Sequence, residues 1–431
     1  MSSYRHSTLQ VILLMICSLA FYGLRPAQSQ SPCSATLPPV VFVHGFLGSG
    51  DNWAEHARRL EAAGWCPDRI QVFDWNSIDR AGRPDSLLHV FVQKVLQRTD
   101  AGKVVLVAHS AGGGVCARLL SVPAKAALVS HYVHIGSGPL SAPPGGVPML
   151  NIYSKGDRIA SRAADIPGAV NLRLEEPDHL EVATCEAGFQ AILDFVSPAL
   201  PSSAKEGPRL MRRWQVSGRA VVLGENTPLP AAQVEVWPYD TLTGRRLSEL
   251  PVWSGQADSS GHWSGFEATD GIAYTFVLKP RQGRVVHYFL GSIRHHRRLT
   301  YLRALPSSGM PAMLLSGLPA DSATSALAVF TANRAVIQGR DTLACNGIPL
   351  SGPELTPATK TCIALFVYDA GRDGIGTGRP MAMFSAAPFL NGADMILPSG
   401  ASRNIRLHYN GRDRVLPAMP SQQAVMVAVF E

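Results

Sequence analysis

Residues 38–200 alternate short continuous apolar runs with amphipathic stretches. The apolar runs, at 40–43, 70–73, 104–108, 127–135, 147–153 and 170–174, read as strands. Runs such as 40–43 and 104–108, apolar at every position and not every second one, suit strands buried on both faces. The stretches between them carry helical spacing. In 85–97, Leu87, Phe91 and Val95 join Leu88 and Val92 in one stripe. A helix is also expected over 52–63 and another from Gly112, and a last one shows Cys185, Phe189, Ile192 and Val196 on one face. Strand–helix alternation of this kind predicts an α/β fold with a mostly parallel sheet covered on both sides.

Beyond a Pro-, Ser- and Ala-rich stretch at 198–208, read as a linker, the period changes to two. Apolar alternation over 216–223 and 228–237 is followed by the turn sequence Ala257-Asp258-Ser259-Ser260-Gly261-His262-Trp263 and another apolar run over 274–278. This predicts a β-sandwich-like region, with a second β unit after it whose strands include 361–368 and 424–430. The expected organisation is a targeting segment at 1–29, an α/β domain at 30–200, a β domain at 201–320 and a second β unit at 321–431.

In open α/β sheets the chemistry lies past the carboxyl ends of the strands, and this rule selects candidates. Ser110 follows the 104–108 run in Ala108-His109-Ser110-Ala111-Gly112-Gly113, a strand–turn–helix sequence that can hold a serine hydroxyl at a sharp bend. The usual pattern has glycine two positions before the serine; here it is Ala108. A buried strand running into a Gly-rich helix cap is the alternative reading. Asp157 follows 147–153, and His179 follows 170–174. The order Ser, Asp, His, with each group just past a strand, is that of the α/β-hydrolase triad. A serine hydroxyl needs a base to become nucleophilic. His179 fits that task and the return of the proton, and Asp157 would fix its tautomer. Asp165 and Asp178 compete with Asp157. His131 and His134 lie within a strand and read as core or capping residues.

With these residues in view, 38–197 resembles the compact α/β-hydrolase lipases of bacteria. The resemblance rests on Val43-His44-Gly45-Phe46, Ala108-His109-Ser110-Ala111-Gly112-Gly113, Gly156-Asp157 and Asp178-His179. It implies an oxyanion hole made by the backbone N–H groups of Phe46 and Ala111. It also implies that His109 supports the bend without transferring protons. Phe46 and Leu47 would favour an apolar acyl group, with Leu47 on the substrate. The β-rich half resembles the tail of a smaller set of lipases, thought to bind lipid, and its first part resembles transthyretin-like modules. The implied activity is a triacylglycerol lipase or carboxylesterase working through an acyl-enzyme. A polyester depolymerase, acyltransferase or peptidase on the same triad, or a non-catalytic lipid-binding module, are the alternatives. The chemistry needs no metal or organic cofactor.

Three further features shape the picture. Arg5 and His6 precede the apolar run 11–24, and Ala27-Gln28-Ser29 suits cleavage. This reads as a signal peptide and an exported protein, with a membrane anchor as the alternative. Six cysteines then remain, which suggests disulfides. Cys345 with Cys362, Cys116 with Cys185 and Cys33 with Cys66 is one of 15 possible pairings, and buried free thiols are the other reading. Lastly, residues 30–200 carry 14 Lys and Arg against 16 Asp and Glu, while 201–431 carry 23 against 16. That basic excess suits an anionic surface such as a lipid headgroup layer, or a solvated basic face. No recognisable nucleic-acid module accompanies it. Arg294-His295-His296-Arg297-Arg298 reads as a solvated basic loop, with binding of anions or a metal as the alternative. The segment 137–146 is too short for a cap domain and reads as a small flap over a little-covered site.

Overall fold

The computed structural model describes residues 33–79, 81–198 and 213–431. The 1–29 targeting segment and nearly all of the 198–208 linker lie outside the described residues. Strands β1 (Val40–Val43), β2 (Ile70–Phe73), β3 (Val104–His109), β4 (Val129–Ile135), β5 (Met149–Ser154) and β6 (Val170–Leu174) form one sheet in the order β2-β1-β3-β4-β5-β6. Every pairing in it is parallel. The run expected over 127–135 starts as a strand only at Val129. Pro123–Ala126 forms a helical turn whose carbonyls take the N–H groups of Ala127 and Leu128.

The continuous apolar runs are explained by two cores. Val41, Val43, Leu106 and Ala108 face the helices Pro84–Thr99 and Ala111–Leu120. Val40, Phe42, Val105 and Val107 face the helices Ala54–Ala62 and Glu186–Val196. The chain leaves β1 toward one face and β3 toward the other, so the crevice between them is the topological switch point where α/β sheets bind ligands. The same layering corrects one cysteine pairing. Cys116 lies in the first core, whereas Cys185 caps the Glu186–Val196 helix on the opposite face, and both are free thiols. Cys33 and Cys66 are bonded. Cys345 and Cys362 are free and buried. Cys345 pairs within a small outer sheet, while the Cys362 thiol turns to the Ala364 carbonyl, so that pairing too is absent.

The rest of the described chain is built from β7 (Arg213–Val222), β8 (Gln233–Tyr239), β9 (Trp253–Gln256), β10 (His262–Thr269), β11 (Ala273–Lys279), β12 (Val285–Ser292), β13 (Arg297–Ala304), β14 (Leu327–Thr331), β15 (Leu343–Cys345), β16 (Ile348–Pro349), β17 (Ala364–Tyr368), β18 (Leu390–Asp394), β19 (Asn404–Tyr409), β20 (Arg412–Pro417) and β21 (Ala424–Phe430). They make three layers. A central eight-stranded sheet, β18-β17-β14-β21-β12-β11-β8-β9, has β10-β7-β13 on one face and β16-β15-β19-β20 on the other. In β21, Val425 and Val427 point to the first core, and Met426, Ala428 and Phe430 to the second. Both segments of the β half therefore share one sheet.

The 294–298 stretch is a solvated loop only as far as His296. Arg297 enters β13 and pairs with Glu431, Arg298 pairs with Glu61 at 2.9 Å, and the His296 ring accepts the Gln215 N–H. Alternation places these side chains against acidic neighbours, a pattern that composition alone does not reveal.

Candidate active site

Ser110 sits between β3 and the helix Ala111–Leu120 with φ +54 and ψ −125. A non-glycine residue in that region carries about 1–3 kcal/mol of strain and persists only where its surroundings hold it. Its N–H donates to the Ile135 carbonyl at 2.9 Å, and its own carbonyl accepts from Gly113 N–H and the Ser137 hydroxyl, each at 2.9 Å. Small neighbours are required. A Cβ on Gly112 would stand 2.6 Å from the Val43 and His44 carbonyl oxygens, and one on Gly45 would stand 2.8 Å from the Ser110 Cβ.

The structure brings Ser110, His179 and Asp157 together. His179 Nε2 lies 2.9 Å from Ser110 Oγ, and Nδ1 lies 2.7 Å from Asp157 Oδ2. With Nδ1–H donated to the carboxylate, Nε2 is free to accept from the hydroxyl. Asp157 and His179 are each only 2 % exposed. Burial pushes the Asp157 carboxyl up. The hydrogen bond and charge of His179 and the N–H groups of Ala160 and Ile159 outweigh it, so the group stays ionised below the usual carboxylate range. The His109 ring packs against His179 with centroids 4.7 Å apart and planes tilted by 43°. Burial, then the neighbouring His179, lowers its pKa to about 3, so it is neutral and donates Nε2–H to the His179 carbonyl at 2.7 Å.

The rival residues are elsewhere. Asp165 accepts the Tyr153 hydroxyl at 2.8 Å. Asp178 caps its own turn through the N–H groups of Leu180 and Glu181 and pairs with Arg340 at 2.7 Å. His131 packs edge-on against Phe195, and His134 bonds Tyr132 and Gly138.

The loop after β1 borders the serine from the other side of the crevice. A cavity of about 30 Å³ is lined by Gly45, Phe46, His109, Ser110 and His179. Leu47, at φ +59, gives its N–H to Ser77 Oγ at 2.8 Å. Its side chain lines a neighbouring cavity of about 160 Å³. Among the described residues the Phe46 and Ala111 N–H groups have no protein acceptor. The two cavities share Gly48, Asn52, Ile363 and Phe389.

The expected open site is therefore corrected. Its walls include Thr361, Ile363 and Phe389 from the second β segment, beside Gly48, Asn52 and Leu180, and not the 137–146 stretch. Ser137 is instead used to hold the Ser110 carbonyl. The Phe389 ring stacks on His179 with centroids 5.7 Å apart and planes 6° from parallel. Phe389 adopts φ +66, and Ile363 and Ala364 N–H both bond its carbonyl. Nothing local in the sequence marks Phe389, because the histidine it covers lies 210 positions earlier.

The arrangement can lower the pKa demand on a serine hydroxyl and receive its proton. Three stretches of the chain match known families. Residues 38–152 match the alpha/beta hydrolase fold model, 212–306 match the lipase C-terminal domain model, and 325–431 match the model of a further C-terminal domain. Among solved structures, a Bacillus licheniformis lipase is similar at 16 % identity over 40 % of this chain and 96 % of its own, with a TM-score of 0.32. A Bacillus subtilis carboxylesterase is similar at 13 % identity over 44 % and 99 %, with a TM-score of 0.30. A lipase B of Aspergillus fumigatus is similar at 16 % identity over 42 % and 56 %, with a TM-score of 0.30. The first half of the chain thus has the alpha/beta hydrolase fold, and it is followed by a segment that matches the lipase C-terminal domain.

Proposed function

We propose that the protein is an exported serine hydrolase that cleaves carboxylic esters of lipids, acting through an acyl-enzyme on Ser110. The relay from Ser110 Oγ through His179 to Asp157 carries this reading. In it, Oγ attacks the ester carbonyl carbon while His179 Nε2 takes the hydroxyl proton. The carbonyl oxygen becomes an oxyanion facing the Phe46 and Ala111 N–H groups. Collapse breaks the bond to the alcohol oxygen, which leaves with the proton from Nε2. Water then repeats the sequence on the acyl-enzyme and releases the acid. Asp157 keeps the imidazole in the required tautomer and stabilises its charged form. The adjoining 160 Å³ cavity, with Leu47, Leu223, Leu314 and Phe330 on its walls, supports an apolar acyl group. The basic–apolar–small order of residues 1–29 and the Cys33–Cys66 disulfide support export.

A fluorophosphonate probe should label the protein at Ser110 and stop its hydrolysis of p-nitrophenyl esters. Ser110→Ala should fold normally and lose at least about 10³-fold in kcat. Full activity in Ser110→Ala, or no labelling of the wild type, overturns the proposal.

A further inference from the structure

We infer that Asn226, a residue of the lipase C-terminal domain, is a positioning residue for the ester chemistry: it sets the loop that presents the Phe46 N–H to the reacting oxygen. The inference rests on the function proposed above and adds a part of the machinery that lies outside the α/β half.

Asn226 stands in the turn after β7 at φ +59 and is buried. Its side chain enters the loop after β1. Nδ2 lies 2.8 Å from the Gly48 carbonyl, 3.1 Å from the Trp75 carbonyl and 3.3 Å from His44 Nε2, and Oδ1 accepts the Ser49 hydroxyl at 2.5 Å. Three acceptors share two N–H bonds, so the amide is saturated and its orientation is fixed. His44 relays that setting. Its Nε2 accepts the Trp75 N–H at 3.1 Å, which leaves Nδ1–H to donate to the Gly45 carbonyl at 2.8 Å. Burial lowers the His44 pKa, so the ring keeps this neutral form.

The Gly45 carbonyl also accepts Gly48 N–H at 3.2 Å. The Gly45 carbonyl and the Phe46 N–H belong to one planar trans peptide and point in opposite directions. Two donors on the carbonyl therefore aim the N–H the other way, into the cavity that Gly45 and Phe46 share with Ser110. Leu47 N–H is already committed to Ser77. Phe46 is thus the donor of this loop that stays available, and its direction depends on a side chain 180 residues away.

The test separates the side chain from the turn. Asn226→Gly keeps the positive φ without strain and removes all four contacts. Asn226→Asp keeps the shape but replaces the donor by an acceptor. In both, kcat on a soluble p-nitrophenyl ester should fall about 10- to 100-fold, the loss expected when an oxyanion donor is misplaced, with KM within about twofold. Affinity for an alkylboronic acid, which forms a tetrahedral adduct on the serine, should fall in parallel, while the pH midpoint of the remaining activity stays put. Unchanged kcat in Asn226→Gly overturns the inference. So does a change confined to KM, because that would mark a substrate-binding or docking role. Fluorophosphonate labelling of the wild type is read alongside. If the wild type is labelled and Asn226→Gly hydrolyses normally, only the positioning role fails. If the wild type is not labelled, the ester-hydrolase reading fails and takes this one with it.

Discussion

The contest between neighbouring carboxylates shows how much single positions decide. Asp157 and Asp178 both lie near His179 in sequence or space, yet only Asp157 reaches Nδ1. Asp157→Asn should reduce kcat by up to about 10⁴-fold with little loss of stability, because the amide favours the wrong imidazole tautomer. Asp178→Asn should show the reverse balance, a lower melting temperature with most of kcat retained, since its partners are Arg340 and backbone N–H groups. Kinetics and thermal melts of the two variants check the assignment, and equal kcat losses would refute it. The grouping of Ser110, Asp157 and His179 is legible because each follows a strand of the parallel sheet, and the runs before Ser110 and Asp157 are apolar almost throughout. Phe389 and Asn226 were not, since a phenylalanine in a β-rich tail and an asparagine in a Gly-Glu-Asn turn have no local signature of a partner far back in the chain. His56 gives a pH prediction. Burial, then Arg59, lowers its pKa to about 3, and neither ring nitrogen has a partner among the described residues. The unfolded chain takes up a proton near pH 6.5 and the folded one does not. The stability contribution is thus complete above about pH 6.5 and is lost as pH falls toward 3. Between pH 7 and 5 this side chain should cost about 2 kcal/mol of stability. His56→Phe, placed among Phe42, Trp53 and Phe189, should flatten that slope in denaturation curves recorded at the two pH values.

At the level of elements, the bend at Ser110 depends on two approaches that only small residues permit. Gly112→Ala would drive a methyl group against the carbonyls of Val43 and His44. Backbone atoms cannot step aside as a flexible side chain can. The variant should therefore lose about 1–3 kcal/mol of stability and most of its esterase activity; wild-type melting and rates would contradict this account of the turn. Gly114, whose Cβ would meet nothing closer than 3.7 Å, is the control that should accept alanine. Legibility follows burial here. Strand β1 starts and stops where its apolar run does, because both its faces are covered, and the edge strands β2 and β6 also keep their expected bounds although they are only partly covered. β4 and β5 begin later than their runs suggest, as preceding prolines hold turns that capture the first N–H groups. In the β half, period two correctly announced strands. It could not announce that the central sheet draws them from both segments, because its inner strands are buried on two sides and their neighbours are chosen by layering.

Taken as one molecule, the chain spends much of its uneven charge on itself. Arg219, Arg298, Arg303 and Arg340 of the basic half pair with Asp74, Glu61, Asp51, Asp178 and Glu181 of the α/β half. The expectation of an anionic surface for that excess is revised accordingly, at least for these four arginines. Composition showed the imbalance but not its destination, since complementarity becomes visible only when the two surfaces meet. Asp74 is the tightest point, taking Arg219, the Tyr301 hydroxyl and Gly50 N–H at once. Arg219→Met alone should cost about 3 kcal/mol, because it strands a buried carboxylate. Adding Asp74→Asn should cost less than the sum of the single changes by at least about 1 kcal/mol. Additive values in a double-mutant cycle would show that the pair contributes nothing to holding the halves together. The sheet order carries a consequence for how the protein is made. β21 follows every other strand in the chain yet lies between β12 and β14 in the middle of the eight-stranded sheet. The α/β half, whose six strands pair only among themselves, can be complete while the central sheet still lacks its spine. Long-range pairings of this kind close slowly. During synthesis, Ser110, Asp157 and His179 are all made well before Thr361, Ile363 and Phe389, so this order allows the proposed reactive centre to assemble before it is roofed.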